Sequence, residues 1–105
     1  MQIEELNSFV VLFDIYGNLL SKKQFELMNE FLNFNLSESE LAESSNSSRQ
    51  AVHDAIKKAK KQLLDFESKC KVYEERQNLK SKLSQLKISL DQNNQKVVDD
   101  ILETL

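Results

Sequence analysis

The sequence predicts an all-α protein of five or six helices, and three observations carry that expectation. Apolar residues recur at helical spacing along the whole chain. Ser21-Lys22-Lys23-Gln24 and Ser37-Glu38-Ser39-Glu40 both carry the capping-box pattern, a serine followed three residues later by Gln or Glu. The 105 residues include one glycine and no proline, so long helices are unopposed and tight β-hairpins are nearly excluded. A chain of this length makes one domain, with room for a helical extension, and its 40% apolar content is enough for a modest core.

Residues 2–16 read as the first helix, with Ile3, Leu6, Val10 and Phe13 on one stripe. Val11, Leu12 and Ile15 widen the stripe, so this helix is either central in the bundle or also buried against a second subunit. Gly17 fits a left-handed C′ stop, followed by Asn18. Ser21 caps a second helix over 22–33, whose buried face is Phe25, Met28, Phe31 and Leu32. Asn33 and Asn35 bracket a short connection. Ser37 caps a third, short helix carrying Leu41 and Ala42. A turn follows through Ser45, Asn46 and Ser47. Asn46 sits where positive φ is needed, a conformation Asn tolerates better than most residues. Ser48 can cap the next helix by accepting from its first-turn N–H groups.

Residues 38–64 therefore read as a helix-turn-helix. At 100° per residue, Ala51, Val52, Ala55, Ile56, Ala59, Gln62, Leu63 and Phe66 fall on one arc of the fourth helix. The opposite arc holds Arg49, Gln50, His53, Asp54, Lys57, Lys58, Lys60, Lys61 and Leu64. Five basic residues face the same way, and Gln50 and His53 stand near the helix start. A recognition helix in a major groove has this layout, with N-terminal side chains on base edges and flanking cations on phosphates. The competing interpretation is a solvated face of an ordinary bundle. The apolar phase continues through Phe66, Cys70 and Tyr73 and then shifts, which places a bend in residues 68–76. Cys70 follows the buried phase and reads as a small buried hydrophobe.

Beyond the bend, Leu79, Leu83, Leu86 and Leu90 repeat at spacings of 4, 3 and 4. Two heptads are too few for a free coiled coil, so this seam packs on the protein's own body or on a twin. Asp91-Gln92-Asn93-Asn94 is the most loop-like stretch. A last short helix has Val97, Val98, Ile101, Leu102 and Leu105 on one side and must dock to be stable. The resulting division is a helix-turn-helix bundle over 1–70 and a helical extension over 71–105.

The net charge of -3 conceals a pattern. Residues 1–48 carry eight acids and two bases, residues 49–90 carry eleven bases and five acids, and the acidic excess returns after 90. A basic middle between acidic ends suits one face for nucleic acid or another anionic partner, not indiscriminate coating of nucleic acid. Gly17 alone cannot form a phosphate-cradling loop. A single cysteine excludes an internal disulfide and a CxxC pair, and His53, the sole histidine, excludes an HExxH zinc site. No nucleophile–base pair with an oxyanion loop is visible, so neither enzymatic activity nor a cofactor or metal is expected. The run Val10-Val11-Leu12-Phe13 is too short to span a membrane and lacks the basic lead-in of a signal peptide. A cytoplasmic location without membrane insertion is the expectation.

The stretches FDIYGNLLSKKQ, LSESELAE and SRQAVHDAIKKAKKQL resemble the YlxM family of small bacterial helix-turn-helix proteins. The resemblance covers roughly residues 9–68, while the C-terminal third matches in helical character alone. It implies a helix-turn-helix similar to the promoter-reading region of sigma factors. In that family the gene commonly sits beside those of the signal recognition particle and its receptor, which implies a regulatory or accessory role in protein targeting, with components of that particle as partners. The family usually has glycine at the place of Asn46 and apolar residues at the places of Ser45 and Ser47, so the serine-rich turn here is a departure.

Two functions follow as expectations. One is a regulator binding DNA or RNA through Ser48, Arg49, Gln50, His53, Lys57, Lys58 and Lys61. The other is a protein-interaction adaptor that keeps the fold and works through the first helix and the leucine seam. A homodimer is expected, with Leu79, Leu83, Leu86 and Leu90 at the interface.

Overall fold

The computed structural model describes residues 3–105, with side chains from Asn7 onward. Ile3 and Leu6, assigned above to the first helix's stripe, lie outside the described side chains. The described residues form six α-helices and no strand: α1 (Ile3–Tyr16), α2 (Lys22–Asn33), α3 (Glu38–Ser45), α4 (Arg49–Cys70), α5 (Val72–Lys87) and α6 (Gln92–Thr104). The protein is all-α. Two compact units divide it, one ending at Cys70 and the other spanning Lys71–Leu105.

In the first unit, α4 touches α1, α2 and α3. The reason is its apolar arc: Val52, Ile56, Ala59 and Leu63 are all buried, and Ala59 lets a neighbouring helix approach closely. Leu12, Phe13 and Tyr16 of α1, Met28 and Leu32 of α2, and Leu41 and Ala42 of α3 complete the core. Phe25 and Phe31 are half-buried. The Phe13 and Phe25 rings sit 5.0 Å apart and those of Tyr16 and Phe66 6.1 Å apart. The Tyr16 hydroxyl donates to Glu67 Oε1 at 2.7 Å, so a buried aromatic keeps a partner for its polar end.

Both capping boxes form. Ser21 accepts from Gln24 N while Ser21 N donates to the Gln24 side chain, and Ser37 and Glu40 exchange the same pair of bonds. Gly17 behaves differently from a left-handed stop. It opens a 3-10 turn (Gly17–Leu19) with Leu20 N–H bonded to its carbonyl at 3.0 Å, and no glycine has positive φ. What the site needs is space: a Cβ on Gly17 would stand 3.0 Å from Phe13 Cε2, and Phe13 is itself pinned against Phe25.

Cys70 is exposed, contrary to its apolar phase. It is the last residue of α4, and the stripe that would bury it has run past the aromatic contact at Phe66. The next residue, Lys71, is left-handed at φ 56°, which ends the helical run within the stretch assigned to a bend. In the second unit, α5 packs on α6. Residues 92–94 are helical and not a loop, because Asp91 caps α6 by accepting from Asn94 N at 2.8 Å. Gln95 Nε2 donates to the carbonyls of Lys87 and Leu90, and Lys87 pairs with Asp99 at 2.6 Å. Val98 is buried and Leu83, Leu90, Leu102 and Leu105 are half-buried, whereas Val97 and Ile101 stand out at 56% and 41% exposure.

Candidate nucleic-acid interface

The helix-turn-helix is built from α3, a tight turn and α4. Asn46 adopts φ 56°, ψ 36°, and this left-handed residue lets Ser47 N–H reach back to Ala42 O at 3.0 Å. The serines of the turn bond locally: Ser45 Oγ donates to Leu41 O at 2.6 Å and Ser44 Oγ to the same carbonyl at 3.2 Å. Both of these bonds fall on the Leu41 carbonyl, while the carbonyls of Ala42 and Glu43 at the helix end are met by the backbone N–H groups of Asn46 and Ser47. Ser48 accepts from Ala51 N at 3.0 Å, which makes it the cap of α4. Its side chain thus sets where the helix starts and is committed to that bond.

Arg49, Gln50, His53, Lys57, Lys58 and Lys61 are all exposed on α4. Lys60 is not with them. It is half-buried, with its ammonium 5.2 Å from the Phe9 ring centre and 5.3 Å from that of Phe31. The reason is angular: Lys60 lies roughly 70° from the centre of the buried arc, close enough for its stem to fold onto α1 and α2. Of the five cations assigned to this face, four are therefore exposed: Arg49 at the start of the helix, and Lys57, Lys58 and Lys61 on the side away from the buried arc. Leu64, 51% exposed, continues this face toward the C-terminal end of the helix.

The two candidate base readers are engaged within the chain. Gln50 Nε2 donates to Asp54 Oδ1 at 2.9 Å, a bond one helical turn long. His53 Nδ1 lies 3.0 and 3.1 Å from the two oxygens of Glu38. Glu38 is the first residue of α3, and sequence reasoning did not assign it a role, since Glu40 occupies the capping-box position. No periodicity links positions 38 and 53; the turn brings them together. Ser37, Glu38 and Ser39 on one side and Arg49, Gln50 and His53 on the other line an open cleft between the starts of α3 and α4.

Leu79 and Leu86 of α5 are 45% and 51% exposed, while Leu83 and Leu90 are half-buried. The four leucines thus differ in exposure, with Leu79 and Leu86 the more open pair. Among the described residues, no group of three or more His, Cys, Asp or Glu side chains is placed to hold a metal ion, and no helix is long and apolar enough to cross a membrane.

Comparison with known proteins gives a consistent result. The family model UPF0122, described as "Putative helix-turn-helix protein, YlxM / p13 like", matches residues 3–103. A UPF0122 protein of Fusobacterium nucleatum is 36% identical over 103 residues, covering 97% of this chain and all of its own length (100%). One from Malacoplasma penetrans is 40% identical over 101 residues, 95% of this chain and 88% of that protein. One from Clostridium perfringens strain 13 is 37% identical over 102 residues, 90% of each chain.

Proposed function

The chain belongs to the UPF0122 family of YlxM/p13-like helix-turn-helix proteins, and from that premise we propose that it binds nucleic acid through α4 as a regulatory or accessory factor of the signal recognition particle pathway. The observation that carries the binding reading is the exposed trio Lys57, Lys58 and Lys61 on the face of α4 away from its buried arc, with Arg49 exposed at the helix start, beside a turn closed by left-handed Asn46. The pathway rests on the gene neighbourhood that the resemblance implies. Chemistry is no part of this reading: the protein is a binder of DNA or structured RNA, not an enzyme.

The test is titration of the full chain with duplex DNA and with structured RNA at low salt, beside a Lys57→Ala/Lys61→Ala double variant. Non-specific dissociation constants in the range of about 10⁻⁴ to 10⁻⁶ M are expected at physiological salt, weakened for every sequence in the variant. Lack of binding to either nucleic acid at low salt would refute the reading.

A second reading, a protein-interaction adaptor, is favoured by one specific set of observations. Gln50 and His53 are already bonded within the chain, and the second unit leaves Leu79 and Leu86 of α5 and Val97 and Ile101 of α6 exposed. A second copy of the chain is the partner proposed for this face. On helical geometry, Leu79 and Leu86, seven residues apart, turn to the same side of α5. Burying four such side chains is worth roughly 1.5–3 kcal/mol each. Sedimentation equilibrium is expected to give a dimer at micromolar concentrations and a monomer for Leu79→Asp/Leu86→Asp. A wild-type monomer at those concentrations rules the dimer out.

A further inference from the structure

The contact between Glu38 and His53 determines what the cleft at the start of α4 can recognise. His53 Nδ1 is 3.0 Å from Glu38 Oε1 and 3.1 Å from Oε2. An ionised carboxylate has no proton to give, so the proton of this bond belongs to Nδ1. With the ring neutral, Nε2 then carries a lone pair and no hydrogen. The two nitrogens diverge across the ring, so Nε2 points away from Glu38. No described residue bonds it, and the His53 side chain is 53% exposed at the cleft that Arg49 and Gln50 also line.

Resting on the nucleic-acid reading above, we infer that Glu38 is a positioning residue that fixes His53 as a hydrogen-bond acceptor for a base amino group, adenine N6 or cytosine N4, in the major groove. Those are the amino donors that DNA presents there, whereas guanine and thymine present acceptors at the corresponding place. Position 53 is one turn into α4, where the first residues of a recognition helix meet base edges. In the neutral ring with its proton on Nδ1, Nε2 has no hydrogen to offer a phosphate and can accept one from a base amino group. The interface is thereby divided, with cations at Arg49, Lys57, Lys58 and Lys61 for the backbone and an acceptor at His53 for a base.

Two measurements on the full chain test this. Long-range ¹H–¹⁵N NMR, at a pH where the ring is neutral, should show the proton on Nδ1. A free imidazole side chain favours Nε2, and Glu38→Ala should return His53 to that form. Glu38→Gln should keep the proton on Nδ1, since its amide oxygen still accepts. Selection from a pool of random duplexes should then show one strand position at which A or C is enriched about tenfold over G or T. That enrichment should disappear in Glu38→Ala and persist in Glu38→Gln. A proton on Nε2 in the wild-type protein, or an unchanged preference in Glu38→Ala, overturns the inference while leaving nucleic-acid binding intact. Failure of the wild-type chain to retain any duplex overturns the underlying reading, and the inference with it.

Discussion

Replacing Leu63 with alanine is expected to lower the stability of the α1–α4 unit by about 2–5 kcal/mol, as burial of a leucine with no room to collapse requires. Leu63 has 0% exposure and lies on the buried arc of the helix that the other helices of this unit pack against, so its truncation opens a cavity in the core. Domains of this size are stable by only about 5–15 kcal/mol, and each kcal/mol moves the melting temperature by roughly 4–8 °C. The neighbouring residue supplies the control. Leu64 is 51% exposed, and Leu64→Ala should stay within about 0.5 kcal/mol of wild type. Thermal melting of the two variants separates the effects of position from those of composition. Equal losses for Leu63→Ala and Leu64→Ala would contradict the assigned face of α4.

The contrast between those adjacent leucines was legible in the sequence because helical periodicity is a local property. The same holds for the capping boxes, which placed the starts of α2 and α3 at Lys22 and Glu38. It holds as well for Asn46, whose side chain suits the left-handed turn, and for Ser48, whose hydroxyl caps α4. Features decided by distant residues were not legible. Cys70 shares the phase of buried residues, but a phase does not say where the opposing surface ends. The pattern around Gly17 points to backbone freedom, whereas its role depends on the Phe13 ring beside it. Asp91 stands in a loop-like stretch of sequence yet caps α6, because Asp favours both settings.

The candidate site divides in the same way. The sequence identified the exposed cations of α4, but not that Lys60 would leave them for the rings of Phe9 and Phe31. It identified His53 but not Glu38, fifteen residues earlier and on another helix. The serine-rich turn departs from an apolar pattern, and the geometry explains how it holds. Ser44 and Ser45 both donate to the Leu41 carbonyl, while Leu41 itself is 1% exposed and supplies the apolar anchor from within α3. Hydrogen bonds thus fix the turn's backbone, and the core contact comes from one turn earlier.

Affinity for duplex DNA is expected to fall about fortyfold between 50 and 200 mM salt. Each phosphate neutralised on B-form DNA contributes roughly -0.9 to the slope of log K against log salt, so three cations engaged by one chain give a slope near -2.7. The exposed quartet Arg49, Lys57, Lys58 and Lys61 can supply three such contacts from one helix face. A homodimer using both copies would double the slope and lose on the order of a thousandfold over the same range. Individual variants sort the lysines. Lys57→Ala should flatten the slope by about 0.9, equally for all sequences. Lys60→Ala should leave it nearly unchanged, because that ammonium is held over two aromatic rings and away from the face. Filter-binding or fluorescence titrations at four or more salt concentrations give the slopes directly. If Lys60→Ala flattened the line as much as Lys57→Ala, the lysine would leave its rings on binding and the interface would extend toward α1 and α2. A wild-type slope near zero would remove phosphate contact from the function of α4 altogether.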